Sequence, residues 1–157
     1  MSLNPVTDIS VSYNVALVTV DNLPNNMTLI SDIFNALAEK KINIDMISQA
    51  PPYRGSINLS FSLPSDDLIK AISELNKFKK AVPNLHVEVD ADNTKLSVYG
   101  KDMKNIPGVA AKLFMLLAQN GIDVKLITTS EVDISYLLYE KDIDKAIEAI
   151  KKEFELR

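Results

Sequence analysis

The chain has 157 residues, a formal net charge of −4 and no cysteine. Its hydrophobic fraction of 46% with 24% charged residues is typical of a globular protein, which excludes a disordered chain and a membrane-spanning one. The acidic balance argues against a nucleic-acid partner, and the absence of cysteine excludes disulfides and thiolate metal sites. No secretory signal is visible, so we expect a cytoplasmic protein without membrane contacts.

The first half of the chain predicts four strands and two helices. β-Branched and alternating apolar residues indicate the strands, and apolar residues at helical spacing indicate the helices. The polar run 21–26 and the Pro-Pro-Tyr-Arg-Gly run 51–55 are turns by composition. In chain order we predict a strand at 15–20, a helix at 27–40, a strand at 42–47, a strand at 57–63, a helix that opens at 64–67 and a strand at 85–89.

The second half predicts the same elements but ends one strand short. Pro107 suits the first position of a helix, and Gly121 suits the residue just past its end. The segment 6–13 carries alternating apolar residues and supplies the missing strand in our interpretation. In chain order we predict a strand at 95–99, a helix at 107–120, strands at 122–128 and 132–139, and a helix at 142–154.

The two halves are copies of each other. A shift of 80 positions lays residues 18–49 on 98–129 without a gap, so that Phe34 meets Phe114. The loop that follows is five residues shorter in the second copy, and the match then resumes at an offset of 75, where Phe61 meets Tyr136. A repeat of this length indicates two copies of one small domain rather than a solenoid.

The element order βαββαβ predicts the α+β class, with two ferredoxin-like modules whose antiparallel sheets carry helices on one face. Because segment 6–13 completes the second module, we expect the first module to be inserted in the second. The predicted domains are 14–92 and 6–13 plus 93–157. The sheets have open edges, and proteins cover such edges by pairing, so we also expect self-association as a homodimer.

The sequence offers no catalytic constellation and no metal site. His86 is its single histidine, and it lies in an alternating strand where a surface role is the simplest interpretation. The four glycines are dispersed, so that no phosphate-binding loop is present. We therefore expect no catalytic residue and no cofactor in this chain.

Two loops suggest a binding site instead. The runs 21–26 and 100–107 each lead into the N-terminus of a helix, whose free N–H groups attract a carboxylate such as that of an amino acid. Capping of the helix by Asn26 or Thr28 is the simpler alternative. Asp21 or Asp45 would be available for an ammonium group. The polar candidates of the first copy are Asp21, Asn22, Asn25, Asn26, Thr28, Asn43, Asp45 and Gln49, with Ile44 between two of them.

The second repeat resembles the C-terminal regulatory region of aspartate kinases. The matching pattern is a glycine–methionine loop at Gly100 and Met103, a Pro-Gly-Val-Ala helix start at 107–110 and an Ile-x-Thr-Ser-Glu segment at 127–131. The first repeat matches the same region through 16–20 and 42–49. Both repeats would then be ACT domains, which are amino-acid-sensing modules of ferredoxin-like topology.

The resemblance implies feedback control of the pathway that leads from aspartate to lysine, threonine and methionine. The effector would be lysine, threonine or both, and the partner would be the kinase catalytic domain, where ATP and magnesium bind. This chain alone would be a non-catalytic fragment or a separate regulatory subunit. Carried over by position, one effector site would contain Asp21, Asn26, Thr28 and Gln49, closed by Asp123 and Val124. A second, lysine-type site would contain Met103, Gly108, Val109, Ala110, Thr129, Ser130 and Glu131.

Two departures from the family pattern bear on these sites. The first copy has Asn26-Met27-Thr28 where many relatives have a glycine, which predicts altered or lost binding there. Lys125 stands where some lysine-sensitive relatives have an acid, and its ammonium would repel that of a lysine. The alternative function is a stand-alone tandem ACT protein that regulates another partner by protein contact. An RNA-binding domain or an acylphosphatase-like enzyme of the same fold is less favoured on this acidic, arginine-poor chain.

Overall fold

The computed structural model of the chain describes residues 4–157, which form two compact units. Module 1 comprises residues 14–92, and module 2 comprises residues 4–13 together with 93–157. The strands are β1 (Asp8–Pro24), β2 (Ile47–Gln49), β3 (Ser56–Pro64), β4 (His86–Tyr99), β5 (Val124–Thr129) and β6 (Asp133–Tyr139). The helices are α1 (Met27–Glu39), α2 (Leu68–Asn76), α3 (Val109–Gln119) and α4 (Ile143–Glu153).

Strands β1 and β4 are long because each passes through both modules. The sequence predicts separate strands on either side of residues 14 and 90–94, since polar residues interrupt the apolar alternation there. In the structure each strand is continuous, so those predicted ends were wrong. Asn14 (φ 55°) and Asp92 (φ 63°) are left-handed at the two module boundaries. Asn and Asp tolerate this conformation better than other residues with a side chain, which explains their presence there.

Each module has the strand order of a ferredoxin-like sheet. The order is β2-β3-β1-β4 in module 1 and β1-β4-β6-β5 in module 2. The pairs β1–β3, β2–β3, β4–β6 and β5–β6 are antiparallel, with Val18 opposite Phe61 in module 1 and Leu96 opposite Tyr136 in module 2. These registers and orders confirm the predicted α+β fold of two ferredoxin-like modules.

The second strand of each module is irregular at the equivalent position. We expected a strand at 42–47, but β2 spans only Ile47–Gln49. The N–H groups of Asp45 and Met46 both donate to Ser62, to its carbonyl at 3.1 Å and to its hydroxyl at 2.9 Å. In module 2 the register likewise shifts at Lys125, between Val124 opposite Leu138 and Leu126 opposite Leu137. Ile42 is nevertheless buried in the core. The apolar pattern at 42–47 therefore indicated a side chain that packs in the core, not a backbone that pairs in the sheet.

The repeat also determines how the two cores are built. In module 1 the rings of Phe34 and Phe61 meet edge to face, 5.6 Å apart. Phe114 and Tyr136 meet in the same way in module 2, with their centroids 6.1 Å apart. Tyr136 is fully buried and its hydroxyl has no hydrogen-bond partner, and burial raises its pKa to about 12. Module 2 therefore holds an unsatisfied polar group where module 1 has a phenylalanine.

Replacing Tyr136 with phenylalanine should stabilise the protein. The substitution Tyr136→Phe removes a buried hydroxyl without a partner and keeps the ring, so we expect the free energy of unfolding to rise by about 1–2 kcal/mol. Denaturant unfolding measures this change, and Phe61→Tyr is the reciprocal control, with a loss of similar size expected. A loss of stability in Tyr136→Phe would show that the hydroxyl is bonded in solution.

The same side chain predicts a loss of stability in alkali. Its pKa is raised from 10.0 to about 12 in the folded protein, so Tyr136 contributes no pH dependence below pH 10. Between about pH 10 and 12 the unfolded chain loses the proton while the folded chain keeps it, which lowers the free energy of unfolding by up to about 3 kcal/mol. This part of the alkaline slope should be absent from Tyr136→Phe.

Candidate functional site

The start of α3 is open, without a side chain that caps it. The helix begins at Val109, so Pro107 precedes it and does not occupy the first helical position that we expected. Gly108 stands at the N-cap with φ 88°, a conformation that favours glycine, and no side chain accepts a hydrogen bond from the helix start. The first N–H groups of α3 have no carbonyl partner within the helix and collect partial positive charge.

A cavity of about 310 Å³ lies against this helix start. Its walls come from the loop between β4 and α3, from the first turn of α3 and from the loop between β5 and β6. The structure brings together all of the residues predicted for the second site, namely Met103, Gly108, Val109, Ala110, Thr129, Ser130 and Glu131. Three lining residues were missed by the sequence reasoning, Lys104, Ile106 and Ile134. Lys104 and Ile106 lie between matched motif positions, which is the signal that would have found them.

The cavity is lined both by apolar side chains and by an exposed ion pair. Met103 and Val109 belong to the core of module 2 and form part of the apolar lining. At the mouth, the ammonium of Lys104 lies 3.8 Å from the carboxylate of Glu131. Both side chains are exposed, so this ion pair is weak and can be exchanged for a pair with a ligand.

Ser130 serves the turn that carries Glu131. Its hydroxyl donates to the carboxylate of Asp133 at 2.6 Å and accepts from the N–H groups of Val132 and Asp133 at 3.2 Å. The side chain of Ser130 therefore holds the β5–β6 loop in shape beside the cavity. Thr129, the last residue of β5, is exposed next to it.

The arrangement suits a small zwitterion. The open start of α3 offers N–H groups to a carboxylate, and Glu131 offers a carboxylate to an ammonium group. Lys125 lies four residues from Thr129 along β5, which is about 13 Å in an extended strand. Its ammonium contacts Asn93 and the ring of Tyr139, 3.7 Å from the centroid. Lys125 therefore does not line this cavity, and the repulsion that we expected from its ammonium stays a prediction.

The start of α1 differs from that of α3 because a side chain, that of Asn26, caps it. The side-chain oxygen of Asn26 accepts hydrogen bonds from the N–H groups of Thr28 at 3.0 Å and Leu29 at 3.3 Å. Capping, the simpler alternative, is what the structure shows at this position. The N–H of Asn25 donates to the carbonyl of Gly55 at 3.0 Å. The equivalent helix starts of the two copies thus present different surfaces to a ligand.

Loss of this cap should destabilise module 1. In Asn26→Ala two N–H groups lose their acceptor, so we expect the free energy of unfolding to fall by about 1 kcal/mol. Asn26→Asp keeps an acceptor oxygen and should stay close to the wild-type value. Thermal or denaturant unfolding of the three proteins measures the difference, and equal losses in both variants would contradict the capping role.

The remaining predicted residues of the first site are spread over several elements. Asp21 lies half-buried on β1, and Asn22 beside it has φ 62° and donates from its amide to the carbonyl of Asn84 at 3.1 Å. A polar cavity of about 520 Å³ next to Asn22 is lined also by Ser56 and His86, which were not predicted. Exposed residues of the set are Thr28 on α1, Asn43 and Asp45 before β2, Gln49 on β2 and Asp123 before β5, whereas Ile44 and Val124 are half-buried.

Two further features are absent from the described part of the chain. Residues 4–157 contain no group of three or more His, Cys, Asp or Glu side chains placed to hold a metal ion. No helix within those residues has both the length and the apolar character needed to cross a bilayer.

The fold is a tandem of ferredoxin-like modules, and the second of them has a ligand-sized cavity at a helix start. The family profile for the ACT domain matches residues 18–78 and 96–154, and the chain therefore belongs to the ACT-domain family. The predicted recognition is confirmed by relatives that are aspartokinases.

The chain is 40% identical over 151 residues to the aspartokinase of Bacillus sp. (strain MGA3), which covers 96% of this chain and 37% of that protein. It therefore spans little more than a third of the curated relatives that it matches. A crystal structure of aspartokinase alpha and beta subunits superposes with a TM-score of 0.87 at 32% identity, covering 96% of this chain and 99% of that one. The regulatory subunit of aspartate kinase from Thermus flavus superposes with a TM-score of 0.86 at 26% identity, covering 95% and 98%. Regulatory ACT domains of the aspartokinase type are thus what this chain contains.

Proposed function

We propose that this chain senses an amino acid and controls the activity of an aspartokinase catalytic domain. The effector is lysine, threonine or both, and the controlled reaction is the phosphorylation of aspartate by ATP on the route to lysine, threonine and methionine. The observation that carries this proposal is the open start of α3, which faces Glu131 across a cavity of about 310 Å³. The proposal includes a cytoplasmic location, because the reaction draws on the ATP of that compartment.

The cavity provides one contact for the α-carboxylate and one for an ammonium group of the amino acid. The α-carboxylate accepts hydrogen bonds from N–H groups at the start of α3, near Val109 and Ala110. The ammonium group takes the place of Lys104 beside Glu131. The carbon chain lies on Met103 and Ile106. The site binds and does not catalyse, and ATP and magnesium belong to the catalytic domain.

Control follows from a shift in population. An effector changes activity only if it binds one arrangement of the regulatory and catalytic parts better than another. A coupling free energy of about 1–3 kcal/mol, typical of such systems, corresponds to a difference of about 5–150-fold in effector affinity between the two arrangements.

Calorimetric titration of the chain with L-lysine and with L-threonine tests the binding. We expect at least one of them to bind at millimolar concentration or below and to raise the melting temperature. Cadaverine, which lacks the carboxylate of lysine, is the matched control and should not bind. If neither amino acid releases heat or raises the melting temperature, the proposed sensing function is overturned, whereas the family and the fold are unaffected.

The proposal also includes a homodimer formed through ACT–ACT pairing. Strand β5 ends the strand order of module 2, and open strand edges are normally covered. On α3 of the same module Phe114 is 46% and Met115 is 48% exposed, whereas the equivalent of Met115 on α1 is Asn35. Large apolar side chains on a surface mark an interaction site.

Light scattering of Met115→Asn measures the consequence for association. We expect this variant to dissociate into monomers at a protein concentration where the wild-type chain is a dimer. Asn35→Ala on α1 is the control and should leave the mass unchanged. A monomeric wild-type chain would contradict this part of the proposal and would favour the alternative, a regulatory protein that contacts a different partner.

A further inference from the structure

The first described residues of the chain form a strap, residues 4–7, that is held at both ends on module 2. The side-chain amide of Asn4 donates to the carbonyl of Phe154, just past α4, at 2.7 Å. Val6 is fully buried in the core of the module. The N–H of Thr7 donates to the carbonyl of Tyr99, the last residue of β4, at 2.8 Å. The strap is therefore hydrogen-bonded at both ends and held between them by the buried side chain of Val6.

The strap crosses the module directly on Gly100. A Cβ atom at Gly100 would lie 1.6 Å from the carbonyl oxygen of Pro5 and 2.7 Å from its carbonyl carbon. Only glycine permits this approach of two backbones, since neither atom belongs to a flexible side chain. Any movement of the backbone at Gly100 towards Pro5 therefore has to displace the strap.

Gly100 also holds both loops of the candidate binding cavity. Its N–H donates to the carbonyl of Val132 at 2.8 Å, which ties it to the loop that carries Glu131. Its carbonyl accepts from the N–H of Met103 at 3.1 Å, which ties it to the loop that leads into α3. One residue thus joins the two cavity loops on one side to the strap on the other.

The core completes the connection. Met103 and Val109 line the cavity, and both belong to the same buried cluster as Val6 of the strap. Close-packed side chains transmit a displacement, because no free volume absorbs it. Two residues that line the cavity and one residue of the strap therefore share a single packed core.

We propose that the packing of the strap is coupled to occupancy of the cavity. The inference rests on the proposed amino-acid binding and adds the element that responds to it. Binding orders the two cavity loops, which holds Gly100 and the strap in the packed position. Linkage is reciprocal, so loosening the strap must weaken binding by the same factor by which binding tightens the strap.

Amide hydrogen exchange by NMR on the full chain tests the coupling, with L-lysine and L-threonine as probes. At saturation we expect the Thr7 N–H, which does not line the cavity, to exchange at least about fivefold more slowly. Asn4→Ala frees the outer end of the strap without touching the cavity and should weaken binding about threefold or more. Asn120→Ala is the matched control, because its amide donates to a helix carbonyl, that of Leu116 at 2.8 Å, at the far end of α3.

The outcomes separate the inference from the proposal beneath it. Binding that leaves Thr7 exchange unchanged, or an Asn4→Ala affinity equal to that of Asn120→Ala, would overturn the coupling between strap and cavity while amino-acid sensing stands. Absence of binding by both probes in calorimetry would overturn both. Slowed Thr7 exchange together with weakened binding in Asn4→Ala alone would support the inference.

Discussion

An aspartate in place of Ala110 should greatly weaken amino-acid binding while α3 keeps its stability. Ala110 is exposed, lines the cavity and is the second residue of α3. In Ala110→Asp the new carboxylate occupies the positive helix start that a ligand carboxylate needs. Repulsion between two carboxylates a few ångströms apart predicts a loss of affinity on the order of 100-fold or more. Calorimetric titration with whichever of L-lysine and L-threonine binds the wild-type chain measures it.

The stability of Ala110→Asp distinguishes a loss of binding from a loss of folding. An acid in the first turn interacts favourably with the helix dipole, by about 0.3–1 kcal/mol, which offsets the helix propensity lost with alanine. Ala118→Asp is the matched control, since Ala118 is an exposed alanine in the last turn of α3. This control should bind normally and lose about 1 kcal/mol of stability. Normal binding by Ala110→Asp would exclude the helix start as the carboxylate site.

Separate fragments of the two modules should differ in stability, because we propose that module 1 is inserted in module 2. A fragment of residues 14–92 holds four strand segments and two helices, so we expect it to unfold cooperatively. A fragment of residues 93–157 lacks segment 8–13 of β1 and the buried side chain of Val6, and its strand β4 has an open edge. We expect this fragment to show no cooperative transition by circular dichroism.

Restoring the missing strand is the control for this experiment. Residues 4–13 joined by a short glycine linker to the front of 93–157 should recover a cooperative transition, because Val6, Ile9 and Val11 return to the core. The same fusion with Val6→Asp should not recover it, since a buried unpaired charge costs more than such a small core provides. A cooperative transition of 93–157 by itself would contradict the proposed division.

Local sequence signals predicted most elements correctly, and their errors have identifiable causes. The helices followed from apolar spacing, and the end of α3 followed from Gly121, which has φ 66°. The strand expected at 42–47 was wrong because Ile42 is apolar for the core, while Ser62 takes the hydrogen bonds that a regular ladder would use. Apolar periodicity reports which side chains are buried, not which backbone groups are paired.

The candidate cavity shows the same division between local and long-range information. Its predicted residues lie in two short motifs, and the likeness of those motifs to a known family sufficed to name them. Whether a helix start is open, by contrast, depends on the geometry of one residue. Asn26 caps α1 with its own side chain, whereas Gly108 leaves α3 without a cap.

The amino-acid sequence by itself determined the duplication, the class of fold and the motif residues of the second module, since all of these depend on patterns within a few residues or on direct likeness. Only the tertiary structure decided that β1 and β4 continue through Asn14 and Asp92. It also decided that the strap crosses Gly100 and reaches Phe154, which is 150 positions from Asn4. Such contacts depend on the packing of distant segments, and no local pattern of hydrophobicity or turn residues encodes them.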